Sequence, residues 1–164
     1  MRLFARREGC IPIEGADVKA FLQHWNLYAD GDDRRNPIWC VQAVLTLLSQ
    51  ASFLKLRGDE FFKQGRYAEA ESVYSSALLV APCDARLWSN RSAARLKMDD
   101  AAGAASDARR AVDLEPSFAK GWARLALAAG MQGDRETELA ALQKAVSIRP
   151  SDASLVQMLR EIER

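Results

Sequence analysis

The sequence predicts an all-α fold, a right-handed α-solenoid of three helix-turn-helix repeats with an N-terminal helical hairpin and a C-terminal capping helix. Two observations predict it. Pro82, Pro116 and Pro150 stand 34 residues apart. Four more register positions return with that period: alanine at Ala77, Ala111 and Ala145; a small residue at Gly58, Ser92 and Ala126; a large apolar residue at Leu54, Trp88 and Trp122; and a turn former at Gly65, Asp99 and Gly133. A period of about 34 residues that combines small, aromatic and proline positions marks paired helices stacked in a line.

Residues 1–16 lack helical periodicity and are expected to be loosely ordered. Residues 17–50 are expected to form the hairpin. Val18, Phe21, Leu22, Trp25 and Tyr28 lie on one face of a helix, which should stop in the turn formers of ADGDDRRN. Asn36-Pro37 reads as an N-cap followed by proline at the first helical position, and Ile38, Val41, Val44, Leu45 and Leu48 continue the apolar stripe. No glycine or proline lies between Pro37 and Gly58, so one long helix fits. Ala43 falls on the repeat's alanine register, so a degenerate extra repeat with a break near Ser49–Ser52 fits as well.

The three repeats occupy residues 51–150. Close approach of each helix pair is assigned to the small residues and alanines, and filling between pairs to Trp88 and Trp122. Asp84, Ser117 and Ser151 or Asp152 stand where N-caps are needed. The pattern lapses at Arg95 and Ala129, which replace the large residue found at Phe61, and at Glu138, which replaces Ala70 and Ala104. Residues 151–164 read as a capping helix with Leu155, Met158, Leu159 and Ile162 on one face.

Composition narrows the function. The 164 residues carry a net charge of +1, with six basic and six acidic residues in the first 50 and 17 against 16 in the rest. That even spread does not suit a nucleic-acid partner. No apolar run approaches the ~20 residues that cross a bilayer, so no membrane partner is expected. The start, MRLFARREGCIPIEG, has no apolar core of the kind a secretory leader needs, and Glu8, Glu14 and Asp17 interrupt a presequence-like basic character. Cys10, Cys40 and Cys83 give neither a disulfide framework nor a zinc pattern; a reducing, cytoplasmic setting and an apolar filler role for Cys83 are expected. His24 sits between Phe21 and Trp25 as a structural residue, and the acidic pairs Asp32-Asp33 and Asp99-Asp100 sit in turns. No nucleophile motif, phosphate loop or metal-ligand cluster appears, so neither catalysis nor a cofactor is expected.

The segments LKLRGDEFFKQGRYAEA, LWSNRSAARLK and FAKGWARLA resemble the tetratricopeptide repeat family over residues 52–164. They look more specifically like co-chaperone domains of that family, which bind the Glu-Glu-Val-Asp tails of the seventy- and ninety-kilodalton heat-shock chaperones. The resemblance implies a non-catalytic adaptor and a five-residue carboxylate clamp at Lys55, Asp59, Asn90, Lys120 and Arg124. Lysine supplies a mobile cation, arginine a planar fork and asparagine an uncharged donor, all suited to a peptide's terminal carboxylates. By register Lys63, Arg86 and Lys97 face the same groove. Asp59 departs from the family, which has asparagine there; a carboxylate repels the ligand and is placed to pair with Lys55. The clamp is then weakened, or it serves a different anion. The alternative is a general scaffold that takes an internal peptide or a folded partner, with the basic residues forming only a solvated face.

Overall fold

The structure is a computed structural model that describes residues 37–163, with side chains from Ser49 onward. Residues 1–16, the first helix of the expected hairpin and His24 lie outside the described residues. Among the described residues seven helices follow one another: α1 Pro37–Lys63, α2 Tyr67–Val80, α3 Ala85–Lys97, α4 Ala101–Leu114, α5 Ala119–Met131, α6 Arg135–Ile148 and α7 Ala153–Ile162. Pro37 opens α1, where its missing N–H costs nothing. The helix then runs 27 residues through Ser49–Ser52 without interruption. Of the two readings of this stretch, the continuous helix is the one present, and no chain break marks residue 50/51.

Turns repeat as faithfully as helices. Gly65, Asp99 and Gly133 all have positive φ, at 77°, 61° and 73°. Each ends its helix with the same pair of backbone bonds: Gly65 N to Phe62 O and Arg66 N to Phe61 O, Asp99 N to Leu96 O and Asp100 N to Arg95 O, Gly133 N to Gly130 O and Asp134 N to Ala129 O. This is a left-handed C-terminal closure, and glycine meets its φ without steric cost. Asp99 adopts the same conformation with a side chain attached.

Aspartates start most of the following helices. Asp84, Asp100, Asp134 and Asp152 each accept a backbone N–H from the first turn of α3, α4, α6 and α7. Ser117 does not cap α5: the N-cap is Phe118, with no side-chain bond, because the position 34 residues after Asp84 is 118 and not 117. Asp152, and not Ser151, caps α7. Asp100 is therefore a cap as well as a turn residue.

Helices pack in consecutive pairs, α1 on α2, α3 on α4, α5 on α6, and each pair meets the next; α7 covers α6. The first helices also touch directly, α1 with α3 and α3 with α5. Ala77, Ala111 and Ala145 are completely buried, as close approach requires. The small register is matched in size by what it faces. A Cβ on Gly58 would stand 2.5 Å from Tyr74 Cε1, so glycine lets this ring lie against α1. Ser92 instead donates its hydroxyl to Ala104 O at 2.8 Å. Trp88 and Trp122 are partly buried against the two apolar clusters of the core, and each indole Nε1 donates to the carbonyl six residues before it, Pro82 O at 2.7 Å and Pro116 O at 2.9 Å. Leu155, Met158, Leu159 and Ile162 of α7 close the second cluster.

The lapses at Arg95 and Glu138 have structural partners. Arg95 donates to buried Asp107 at 3.0 Å and to Glu71 at 2.9 Å. Arg91 grips Asp107 with two bonds of 2.8 Å and lies 4.9 Å over the Trp88 ring. The Asp107 carboxylate in turn holds the Arg91 guanidinium above its ordinary pKa. This network joins α2, α3 and α4. Glu138 occupies room that Gly130 leaves, since a Cβ there would stand 2.5 Å from Glu138 Oε1, and it pairs with Arg135 at 3.2 Å. Cys83 is disulfide-bonded, a correction to the expectation of no disulfide, of a reducing setting read from the cysteines, and of a filler role; spacing in sequence does not determine which cysteines meet in space.

Candidate functional site

The contact of α1 with α3 and of α3 with α5 lays three first helices side by side. Their shared surface holds a concave pocket of about 420 Å³, lined by Leu56, Asp59, Glu60, Phe62 and Lys63 of α1, Tyr74 of α2, Asn90 and Ala93 of α3, and Arg124 of α5. Asn90 and Arg124, one repeat period apart, line this pocket together, and Asp59, 31 residues before Asn90, bonds to it across the α1–α3 contact.

Asp59 is the most heavily bonded group there. Its Oδ2 accepts from Lys55 Nζ at 2.7 Å, and its Oδ1 accepts from Tyr74 Oη at 2.7 Å and from Asn90 Nδ2 at 2.9 Å. The sequence-level expectation of a Lys55–Asp59 pair is met, and the two further donors were not foreseen. Lys55 and Asp59 side chains retain 29% and 28% exposure, so their i,i+4 pair alone contributes only about 0.3–0.5 kcal/mol. Burial first, and then the bond to Asp59, push the Tyr74 phenol well above the usual tyrosine range. Tyr74 therefore stays a neutral donor.

Arg124 has the opposite character. Burial pulls its guanidinium below the ordinary arginine pKa, and its Nε is buried without a hydrogen-bond partner among the described residues. A desolvated donor with nothing to donate to carries a cost that an incoming acceptor removes. Lys63 lines the same pocket and is exposed.

Lys120, Arg86 and Lys97 are exposed and do not line this pocket. Lys120 is one helical turn before Arg124 on α5. Arg86 stands 3.4 Å from Asp84 beside the α3 cap. Sequence reasoning missed Tyr74 and the apolar wall of Leu56, Phe62 and Ala93. The register held a signal for Tyr74: Gly58 is the smallest residue of its series, and the smallest residue implies the largest neighbour. Among the described residues no group of three or more His, Cys, Asp or Glu could hold a metal ion, and no helix is long and apolar enough to cross a membrane.

No family model matches the chain. It is 36% identical over 110 residues to a Hsp70-Hsp90 organizing protein of Triticum aestivum, an alignment that covers 67% of this chain and 19% of the relative. The first TPR of Spaghetti (RPAP3) bound to the HSP90 peptide SRMEEVD is 29% identical, with a TM-score of 0.68 over 70% of this chain and 91% of that one. The second TPR domain of human RPAP3, in complex with the HSP70 peptide SGPTIEEVD, is 28% identical, with a TM-score of 0.69 over 72% and 98%. The chain spans about a fifth of the wheat relative's length. Helix order, the 34-residue register and these likenesses agree: the chain belongs to the tetratricopeptide repeat family.

Proposed function

We propose that this chain is a non-catalytic adaptor whose groove binds the acidic C-terminal segment of a heat-shock chaperone. The observation that carries the reading is the buried, unpartnered Nε of Arg124 in a concave pocket shared with Asn90. A carboxylate is the natural acceptor for a planar guanidinium. Support also comes from two similar tetratricopeptide repeat domains whose structures hold HSP90 or HSP70 peptides. Residues 51–150 supply the groove in this reading, and residues 151–164 close its end. Lys120 and Arg124 are the ligand's cationic donors, Asn90 offers it only the Nδ2 hydrogen that Asp59 does not take, and Lys63, Arg86 and Lys97 add positive charge along the rim. The reading carries a cytoplasmic setting with it. The disulfide at Cys83 stands against that setting, and thiol alkylation in intact cells decides: a free Cys83 fits the cytoplasm, and an intact disulfide overturns it.

Titration calorimetry with SRMEEVD and SGPTIEEVD tests the function. Arg124→Ala should weaken binding about ten- to a hundredfold, since a hydrogen bond to a charged group contributes roughly 1.5–3 kcal/mol. Equal affinity of wild type and variant would remove Arg124 from the site.

A further inference from the structure

Three helices send a donor to one point beside the pocket: Lys55 Nζ from α1, Tyr74 Oη from α2 and Asn90 Nδ2 from α3, all within 2.7–2.9 Å of the Asp59 carboxylate. Such convergence is what a binding site for a carboxylate looks like, and here the chain's own carboxylate fills it. The arrangement is built into the packing. Gly58 lets the Tyr74 ring lie against α1, which brings the hydroxyl to the neighbouring Asp59. Arg124, which lines the same pocket, keeps a buried Nε with no acceptor among the described residues. One anion place is therefore occupied from within, and one is open.

We propose that Asp59 is a built-in carboxylate that fills one of two anion places in the groove, leaving the place at Arg124 to a single carboxylate of the ligand. This rests on the reading of the groove as an acidic-peptide site and narrows the ligand class. A ligand with two adjacent terminal carboxylates would bring one of them against Asp59, where like charges repel. A peptide that offers one acidic side chain to Arg124 and an aliphatic neighbour to Leu56, Phe62 and Ala93 meets no such repulsion. Its own C-terminus need not be free, so internal acidic segments qualify alongside terminal ones.

Two measurements test this. In the first, SRMEEVD is titrated as free acid and as C-terminal amide into wild type and Asp59→Asn. Wild type should bind both forms within about threefold, because its α-carboxylate place is already filled. Asp59→Asn should bind the free acid at least about tenfold more tightly than the amide, and more tightly than wild type does. A tenfold or greater loss on amidation in wild type overturns the proposal. Absence of binding by both proteins removes the acidic-peptide reading, and the single-carboxylate claim with it. In the second, acetate is added to Asp59→Ala, with chloride at equal ionic strength as control. Acetate should fill the vacated place and raise the melting temperature of the variant by roughly 5 °C more than that of wild type, in which only Arg124 is left to take it, at about tenfold excess over its dissociation constant. No acetate-specific rise would show that the three donors form no anion place, whatever the peptides do.

Discussion

Replacing Asp107 with alanine should destabilise the fold far more than an average substitution. The Asp107 side chain is 2% exposed and accepts from Arg91 Nε and Nη2 at 2.8 Å and from Arg95 Nη1 at 3.0 Å. Glu71 at 2.9 Å and the half-exposed Asp100 at 3.8 Å also pair with Arg95, so Asp107 is the one buried anion of the group and the one acid paired with Arg91 among the described residues. Alanine strands the Arg91 guanidinium, whose side chain is only 14% exposed. Breaking a buried pair from one side costs about 3–5 kcal/mol, and the water that reaches these arginines places the loss near the lower end. For a chain of this size about 3 kcal/mol lowers the melting temperature by roughly 6–12 °C. Pairing Asp107→Ala with Arg91→Leu should be less damaging than the sum of the two, because the second change removes a stranded charge. Thermal melts followed by circular dichroism give all four corners of that cycle. A drop under about 2 °C for Asp107→Ala, or strict additivity, would refute the buried network as a stabilising unit.

Ala111→Leu should cost about 1–3 kcal/mol by overpacking, since Ala111 is fully buried and its Cβ lies 3.6 Å from where a Cβ on Gly121 would stand; an unchanged melting temperature would show the α4–α5 contact to be looser than this. Asp99→Gly should raise stability by about 0.5 kcal/mol, as glycine relieves the left-handed conformation at some cost in chain entropy, and a lower melting point would mean that the Asp99 side chain contributes more than its strain. Asp134 has its carboxyl held below the ordinary value by its bonds to Thr137, so the cap contributes stability above the ordinary carboxylate pKa and loses it as pH falls through the lowered one. The melting-temperature gap between wild type and Asp134→Ala should accordingly be present at pH 7 and close only in acid below the ordinary carboxylate range; a gap constant with pH would exclude the carboxylate as its source.

Much of the architecture was legible because packing repeats what the register repeats. Ala77, Ala111 and Ala145 were readable as close contacts, and Gly65, Asp99 and Gly133 as turns, since each series performs one backbone or packing task three times. Departures from the register were legible only as lapses. Arg95 stands where Phe61 stands, and Asp107 stands where Val73 and Ala141 stand; taken together, two opposite charges on facing apolar registers announce a pair. Tyr74 belongs to no recurring class, for its series continues with Ala108 and Leu142; the small size of Gly58 marked room for its ring, but nothing periodic marked the bond to Asp59. The continuity of α1 through Ser49–Ser52 and the bonding of Cys83 were likewise beyond reach, because each depends on what comes near in space.

The indole-to-proline bond bears on the mechanics of the groove. Trp88 and Trp122 tie the start of α3 and of α5 to the carbonyl that ends the preceding pair, with the same six-residue span each time. Equal struts at successive joints impose equal rotations, so the array bends like a spring wound at one pitch. In α1 the equivalent position is Leu54, inside an unbroken helix, and no strut forms. Asn90 lies two residues beyond one tryptophan, and Arg124 two beyond the other. The spacing of the groove's donors is therefore calibrated by side chains on a different face of their helices. Changing either indole to phenylalanine would alter the reach of the grip without touching the ligand.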